Sequence, residues 1–136
     1  MGRLVVDTNA LIQSLPSRSK YHDLWLSLLD GRNSLCVTTA ILEEYNEIIA
    51  LKSSPQVASL VISNIINNNN TIFIDPFFNF NLIDADPDDN KFVDCAVTAH
   101  AKFIVSEDRH FDVLKHVDFP KVDVVSLDQI LSLLHQ

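Results

Sequence analysis

The sequence predicts an α/β fold with a central, mainly parallel sheet of about five strands and helices on both faces. Three observations lead to this prediction. Short apolar runs alternate along the chain with segments whose apolar residues recur at helical spacing. The short runs are apolar throughout, which is typical of parallel strands that are buried on both faces. No internal repeat or linker divides the chain, so we expect a single domain over residues 1–136.

The apolar runs predict the strands of this sheet. Each is short and rich in β-branched or aromatic side chains, which favour the extended backbone of a strand. The runs are residues 4–6, 35–37, 71–74, 103–105 and 122–125.

Apolar residues at intervals of three and four predict the helices between the strands. A first helix begins near Ala10, and Leu24, Trp25, Leu28 and Leu29 mark a second. Further helices are expected over residues 40–51, 57–66, 89–101, 111–116 and 127–134.

A longer loop is expected over residues 76–87, tethered by three phenylalanines, Phe77, Phe78 and Phe80. Its acidic residues are expected to lie in turns, with one of the last two capping the next helix. They are Asp84, Asp86, Asp88 and the adjoining Asp89.

The composition excludes several classes of protein. No segment approaches the roughly 20 apolar residues needed to cross a bilayer, and no signal peptide is visible, so we expect no membrane contact. Cys36 and Cys95 lie in apolar patterns typical of reduced, buried thiols, which favours a cytoplasmic protein. Gly2 and Gly31 are the only glycines, which excludes glycine-rich phosphate loops and the serine-hydrolase elbow.

The charge balance is acidic, with 18 Asp and Glu against 10 Lys and Arg and a net charge of −8. This balance alone disfavours indiscriminate binding to nucleic acid, which normally uses a basic surface. Divalent cations held by converging carboxylates would reverse the sign of the charge locally.

Acidic residues occur at the places where a parallel sheet would bring them together. Asp7 directly follows the first predicted strand, and Asp108 follows the fourth. Glu44 lies on the helix after the second strand, and Asp89 and Asp94 lie at the start of the helix that leads to the fourth. Because parallel strands end at one edge of a sheet, we expect Asp7 and Asp108 to face the same cleft.

Carboxylates that converge in this way repel one another unless cations neutralise them. Hard oxygen ligands suit Mg²⁺ or Mn²⁺. Two such ions can activate a water molecule and stabilise the leaving oxygen of a phosphodiester.

Three stretches of the sequence resemble the PIN-domain ribonucleases, and within them the bacterial toxin components of toxin–antitoxin pairs. They are "VVDTNALI", "VTTAILEEYNEI" and "DADPDDNKFVDCAVTAHAKFIVSEDRHF", and the resemblance runs across nearly the whole chain. It implies a PIN-like three-layer α/β/α fold and metal-dependent hydrolysis of RNA. It also implies RNA as substrate, Mg²⁺ or Mn²⁺ as cofactor and a small antitoxin protein as partner.

The resemblance also implies roles for individual side chains. The catalytic and metal-binding residues are Asp7, Glu44, Asp89 and Asp108, with Asp94 as a further metal ligand. Apart from the resemblance, we expect Thr8, Asn9 and Ser106 to orient carboxylates or substrate. Arg109 would contact phosphate or be a solvated charge, and His110, close to Asp108, would contact phosphate or transfer a proton. His110 is a departure, since many relatives carry another aspartate at that position.

Each of these residues also has a simpler interpretation. Asp7 and Asp89 are suited to helix N-caps, Glu44 to a solvated helix face and Asp108 to a turn after a strand. The nearest alternative enzyme is a phosphohydrolase with Asp7 as nucleophile, which commonly has a second aspartate where this chain has Asn9.

A non-catalytic protein-binding module is the alternative from a different class. The apolar stripe of Leu24, Trp25, Leu28 and Leu29 would then meet a partner or form a homodimer, although core packing is the commoner fate of such a stripe. The ordered arrangement of the acids favours the nuclease.

Overall fold

The computed structural model of the chain describes residues 2–76, 81–83 and 87–136. Its sheet has the strands β1 (Gly2–Val6), β2 (Asn33–Val37), β3 (Ile72–Phe73), β4 (Phe103–Val105) and β5 (Val124–Val125). The expected loop residues Phe77, Phe78, Phe80, Asp84 and Asp86 lie outside the described residues.

The sheet confirms the predicted fold class. Its strand order is β3-β2-β1-β4-β5, and every neighbouring pair is parallel. In the register of the central strand, Leu4 pairs with both Leu35 of β2 and Phe103 of β4. Strands β2 and β3 lie on one side of β1, and β4 and β5 lie on the other, so the strand order reverses at β1. This is where ligands bind in open α/β sheets.

Helices cover the sheet to give the three-layer α/β/α arrangement. They are α1 (Thr8–Ser14), α2 (His22–Asp30), α3 (Thr39–Lys52), α4 (Pro55–Ile66), α5 (Asn90–Ala99) and α6 (Leu127–Leu134). Two 3₁₀ segments, Pro87–Asp89 and Arg109–His116, precede α5 and follow β4. The prediction of an ordinary helix over residues 111–116 was therefore wrong in type. None of the helices in the described ranges is long and apolar enough to cross a membrane.

Side-chain caps explain where several helices begin. Thr38 accepts a hydrogen bond from the backbone N–H of Ile41 at the start of α3. Ser54 caps α4 in the same way, and Pro55 occupies the first turn, where its missing N–H costs nothing. Helix α2 ends at Gly31, whose positive φ of 87° suits glycine.

The core lies between the sheet and the helices. Leu24, Trp25 and Leu28 are buried, so most of the apolar stripe on α2 packs inside the protein and is not a partner or dimer surface. The expected burial of both thiols is confirmed, since Cys36 and Cys95 are free and buried. Burial raises the pKa of Cys36 to about 11 and that of Cys95 to about 12.

Candidate functional site

Asp7 lies at the carboxyl end of the central strand. Its backbone N–H donates to the carbonyl of Val105 at 3.0 Å, which extends the pairing of β1 with β4 by one residue. It occupies the N-cap position of α1, but its side chain makes no capping hydrogen bond. The carboxylate instead accepts a hydrogen bond from the hydroxyl of Ser106 at 2.9 Å. The interpretation of Asp7 as a helix cap was therefore wrong.

Ser106 connects the first and last acids of the predicted set. The hydroxyl that donates to Asp7 also accepts from the backbone N–H of Asp108, at 2.9 Å. Asp108 in turn caps the following 3₁₀ segment, because its carboxylate accepts from the N–H of His110. Both acids line one cavity of about 330 Å³, as expected for residues that face the same cleft.

Glu44 reaches this edge of the sheet from α3. Its carboxylate accepts a hydrogen bond from the hydroxyl of Thr8 and pairs with the ammonium of Lys91 at 2.6 Å. The neighbouring Tyr45 is fully buried, and its hydroxyl donates to the carbonyl of Val6 in β1. With only 25% of its side chain exposed, Glu44 does not belong to a solvated helix face.

Asp89, just before α5, and Asp94, on that helix, are both buried, at 8% and 5% exposure. Asp89 immediately precedes the helix, but its side chain makes no capping hydrogen bond, so this simpler interpretation was also wrong. The start of α5 is held instead by Asn90, whose amide bonds to both backbone groups of Ile83 at 2.9 Å.

A second cavity, of about 590 Å³, lies beside the acids on the side of β3. Asp94 and Lys91 line one wall, and Phe73 lines another. The ring of Phe73 is accessible from this cavity, with 55% of the residue exposed. Asp7 and Asp108 therefore line one cavity, and Asp94 lines the other.

The remaining predicted residues lie around this edge. The amide oxygen of Asn9 accepts from the ammonium of Lys52 at 2.9 Å, and Arg109 is exposed. His110 contacts two of the acids, since its Nδ1 lies 3.2 Å from Asp89 and 3.3 Å from Asp108.

Sequence reasoning missed several contacts at the site. It did not predict that Lys91 pairs with Glu44. It did not single out Asn90 or Tyr45 as supports. The sequence offered one signal for Asn90, an amide directly after the acids that precede α5.

The electrostatics of the site favour a bound cation. Burial raises the pKa of the Asp7 carboxyl, and the carboxylates of Asp108 and Glu44 raise it further. Hydrogen bonds from Ser106 and from the N–H of Thr8 act in the opposite direction. A divalent cation would offset this repulsion, and the donor set of carboxylate oxygens with one imidazole fits such an ion.

The comparison with protein-family models gives the family. A model described as PIN domain matches residues 3–110. The chain belongs to the PIN-domain family. The matched range includes every predicted site residue from Asp7 to His110.

Solved structures show the same fold as this PIN-domain protein. VapBC2 from Rickettsia felis, solved bound to a DNA fragment from its promoter, matches with a TM-score of 0.64 at 12% identity, covering 91% of this chain and 98% of that chain. DNA-bound VapBC from Salmonella typhimurium matches with a TM-score of 0.60 at 16% identity, covering 93% and 99%. Among curated proteins, none matches the chain.

Proposed function

We propose that this PIN-domain protein is a metal-dependent endoribonuclease that acts as a single domain in the cytoplasm. One observation carries the proposal: carboxylates from four separate parts of the chain converge at the carboxyl edge of the sheet. Ser106 joins Asp7 to Asp108, while Thr8 holds Glu44 near the same strand end.

The residues that would hold Mg²⁺ or Mn²⁺ are Asp7, Glu44, Asp89 and Asp108, with Asp94 assisting. When bound, a divalent cation supplies positive charge that activates a water molecule and stabilises the leaving oxygen of a phosphodiester. The protein would orient the metal-binding carboxylates in advance of substrate binding, because the hydroxyl of Thr8 donates to Glu44 and that of Ser106 donates to Asp7.

Substrate binding would use the two cavities that the acids line. Each contains one lysine, Lys91 on the side of β3 and Lys52 on the other. These cations give an otherwise acidic protein local contacts for phosphate groups. The exposed ring of Phe73 offers a surface on which an unpaired base can stack, which favours single-stranded RNA.

Replacement of Asp7 tests the proposed activity. Asp7→Asn keeps the size of the side chain and its ability to accept from Ser106, but removes the charge. We expect it to abolish cleavage of single-stranded RNA in Mn²⁺ or Mg²⁺. The matched control is Asp123→Asn, the same change at an exposed residue that pairs only weakly with Lys121, at 3.9 Å. Undiminished cleavage by Asp7→Asn would count against the nuclease.

We also propose that the protein is the toxin of a toxin–antitoxin pair. The similarity of its fold to proteins solved as VapBC complexes supports this role. Expression should arrest growth, Asp7→Asn should not, and a small protein encoded by the neighbouring gene should relieve the arrest. Growth arrest by the Asp7→Asn variant would favour the non-catalytic binding module instead. A homodimer stays a prediction, to be measured by light scattering.

A further inference from the structure

His110 lies between two acids of the proposed site. Its Nδ1 is 3.2 Å from Oδ2 of Asp89 and 3.3 Å from Oδ1 of Asp108. One ligand atom from each of the three side chains lies within 4.8 Å of the others, which is close enough to share one metal ion.

The backbone fixes His110 in this position. The carboxylate of Asp108 accepts a hydrogen bond from the N–H of His110 at 2.9 Å, so these residues hold each other in place. The next residue, Phe111, is fully buried and packs edge to face against Phe92 of α5, with ring centroids 6.4 Å apart. Because α5 follows Asp89 directly, this core contact holds His110 and Asp89 near each other.

The imidazole changes the chemistry of this part of the site. Mg²⁺ is a hard cation that prefers oxygen ligands and retains its waters. Imidazole nitrogen instead favours first-row transition-metal ions. We propose that Asp89, Asp108 and His110 form a mixed nitrogen–oxygen subsite that binds Mn²⁺ in preference to Mg²⁺, with His110 as a direct ligand.

An ion pair is the competing explanation of the same geometry. A protonated His110 would neutralise Asp89 and Asp108, and a metal ion would then have to displace it. The two explanations predict opposite effects of removing the imidazole. Loss of a ligand weakens Mn²⁺ binding, whereas loss of a competing cation strengthens the binding of both metals.

The decisive measurement is calorimetric titration of metal-free protein with Mn²⁺ and with Mg²⁺. His110→Asn removes a direct ligand, so it should weaken Mn²⁺ binding by at least the roughly 10–100-fold that loss of an outer-shell partner costs, and leave Mg²⁺ binding nearly unchanged. His110→Asp, which replaces nitrogen by oxygen, should bring the two affinities closer together. The control His116→Asn alters an exposed histidine and should change neither. Stronger Mn²⁺ binding by His110→Asn would overturn the proposal.

A second measurement uses the wild-type protein, so its outcome does not depend on whether a variant folds. Electron spin-echo spectra of the Mn²⁺-loaded wild-type protein should show coupling to an imidazole nitrogen, and its absence would overturn the proposal. Because the inference rests on the proposed nuclease, the two must be able to fail separately. If Mn²⁺ shows nitrogen coupling but the protein cleaves no RNA, the nuclease fails and the subsite stands. If Asp7→Asn abolishes cleavage but Mn²⁺ shows no nitrogen coupling, only the subsite fails.

Discussion

Replacement of Ser106 by alanine removes the one hydroxyl that joins the two ends of the candidate site. That hydroxyl donates to the buried carboxylate of Asp7 and accepts from the backbone N–H of Asp108, both at 2.9 Å. A hydrogen bond to a charged group contributes about 1.5–3 kcal/mol, and a neutral one about 0.5–1.5 kcal/mol. Ser106→Ala should therefore lower the free energy of unfolding by roughly 2–4 kcal/mol. In a chain of this length the Tm should fall by roughly 8–16 °C.

Urea unfolding in EDTA measures this loss, with the fluorescence of the single tryptophan, Trp25, as the signal. Cleavage of RNA should fall about 10–100-fold as well, because Asp7 loses the group that orients it. Ser106→Thr is the matched control, since it keeps the hydroxyl and should stay close to wild type in activity. If Ser106→Ala unfolds within about 0.5 kcal/mol of the wild-type protein, as surface substitutions do, the reasoning is refuted.

Three other substitutions test the remaining parts of the site. Thr8→Val removes the donor to Glu44 and should lower kcat/KM for RNA about 10–100-fold, while Thr8→Ser should not; equal values for the two would contradict the role of the hydroxyl. Phe73→Ala should raise KM roughly 5–150-fold, the loss of one base stack. The control Phe119→Ala removes a 90% exposed ring and should leave KM unchanged, and an equal effect would refute stacking on Phe73. Because the pKa of Asp7 is raised from 3.8, its charge destabilises the metal-free fold as pH rises above that value. Asp7→Asn should therefore be more stable than wild type at neutral pH in EDTA and equally stable below pH 3.8, as measured by thermal unfolding. A less stable variant at neutral pH would oppose this assignment.

The fold was largely predictable because apolar periodicity decides both the type and the order of its elements. All five expected strands are present, and the fourth has the predicted bounds, Phe103–Val105. The third is only Ile72–Phe73, shorter than the apolar run, because pairing with β2 rather than residue type sets its length. The segment Arg109–His116 winds as a 3₁₀ helix although its spacing suggested an ordinary one.

The sequence predicted which acidic residues form the candidate site, but it did not predict the hydrogen bonds and ion pairs that hold them in place. Strand ends could be read from the sequence, and they place Asp7 and Asp108 at one edge. The bond from Ser106 to Asp7 spans 99 residues and depends on the register of β1 with β4, which sequence does not supply. The pairing of Lys91 with Glu44 likewise depends on how two helices approach each other.

The central position of β1 has a consequence for how the protein is made. Domains begin to fold during synthesis, from the N-terminus onward. Strand β1 can pair with β2 alone until β4 emerges from the ribosome. The carboxylate of Asp7 likewise has no hydrogen bond from Ser106 until that residue, which follows β4, has been made. A growing chain therefore carries its first acid long before it carries the rest of the assembly. The proposed active site is therefore complete only after β4 and the residues that follow it, including Asp108, have left the ribosome.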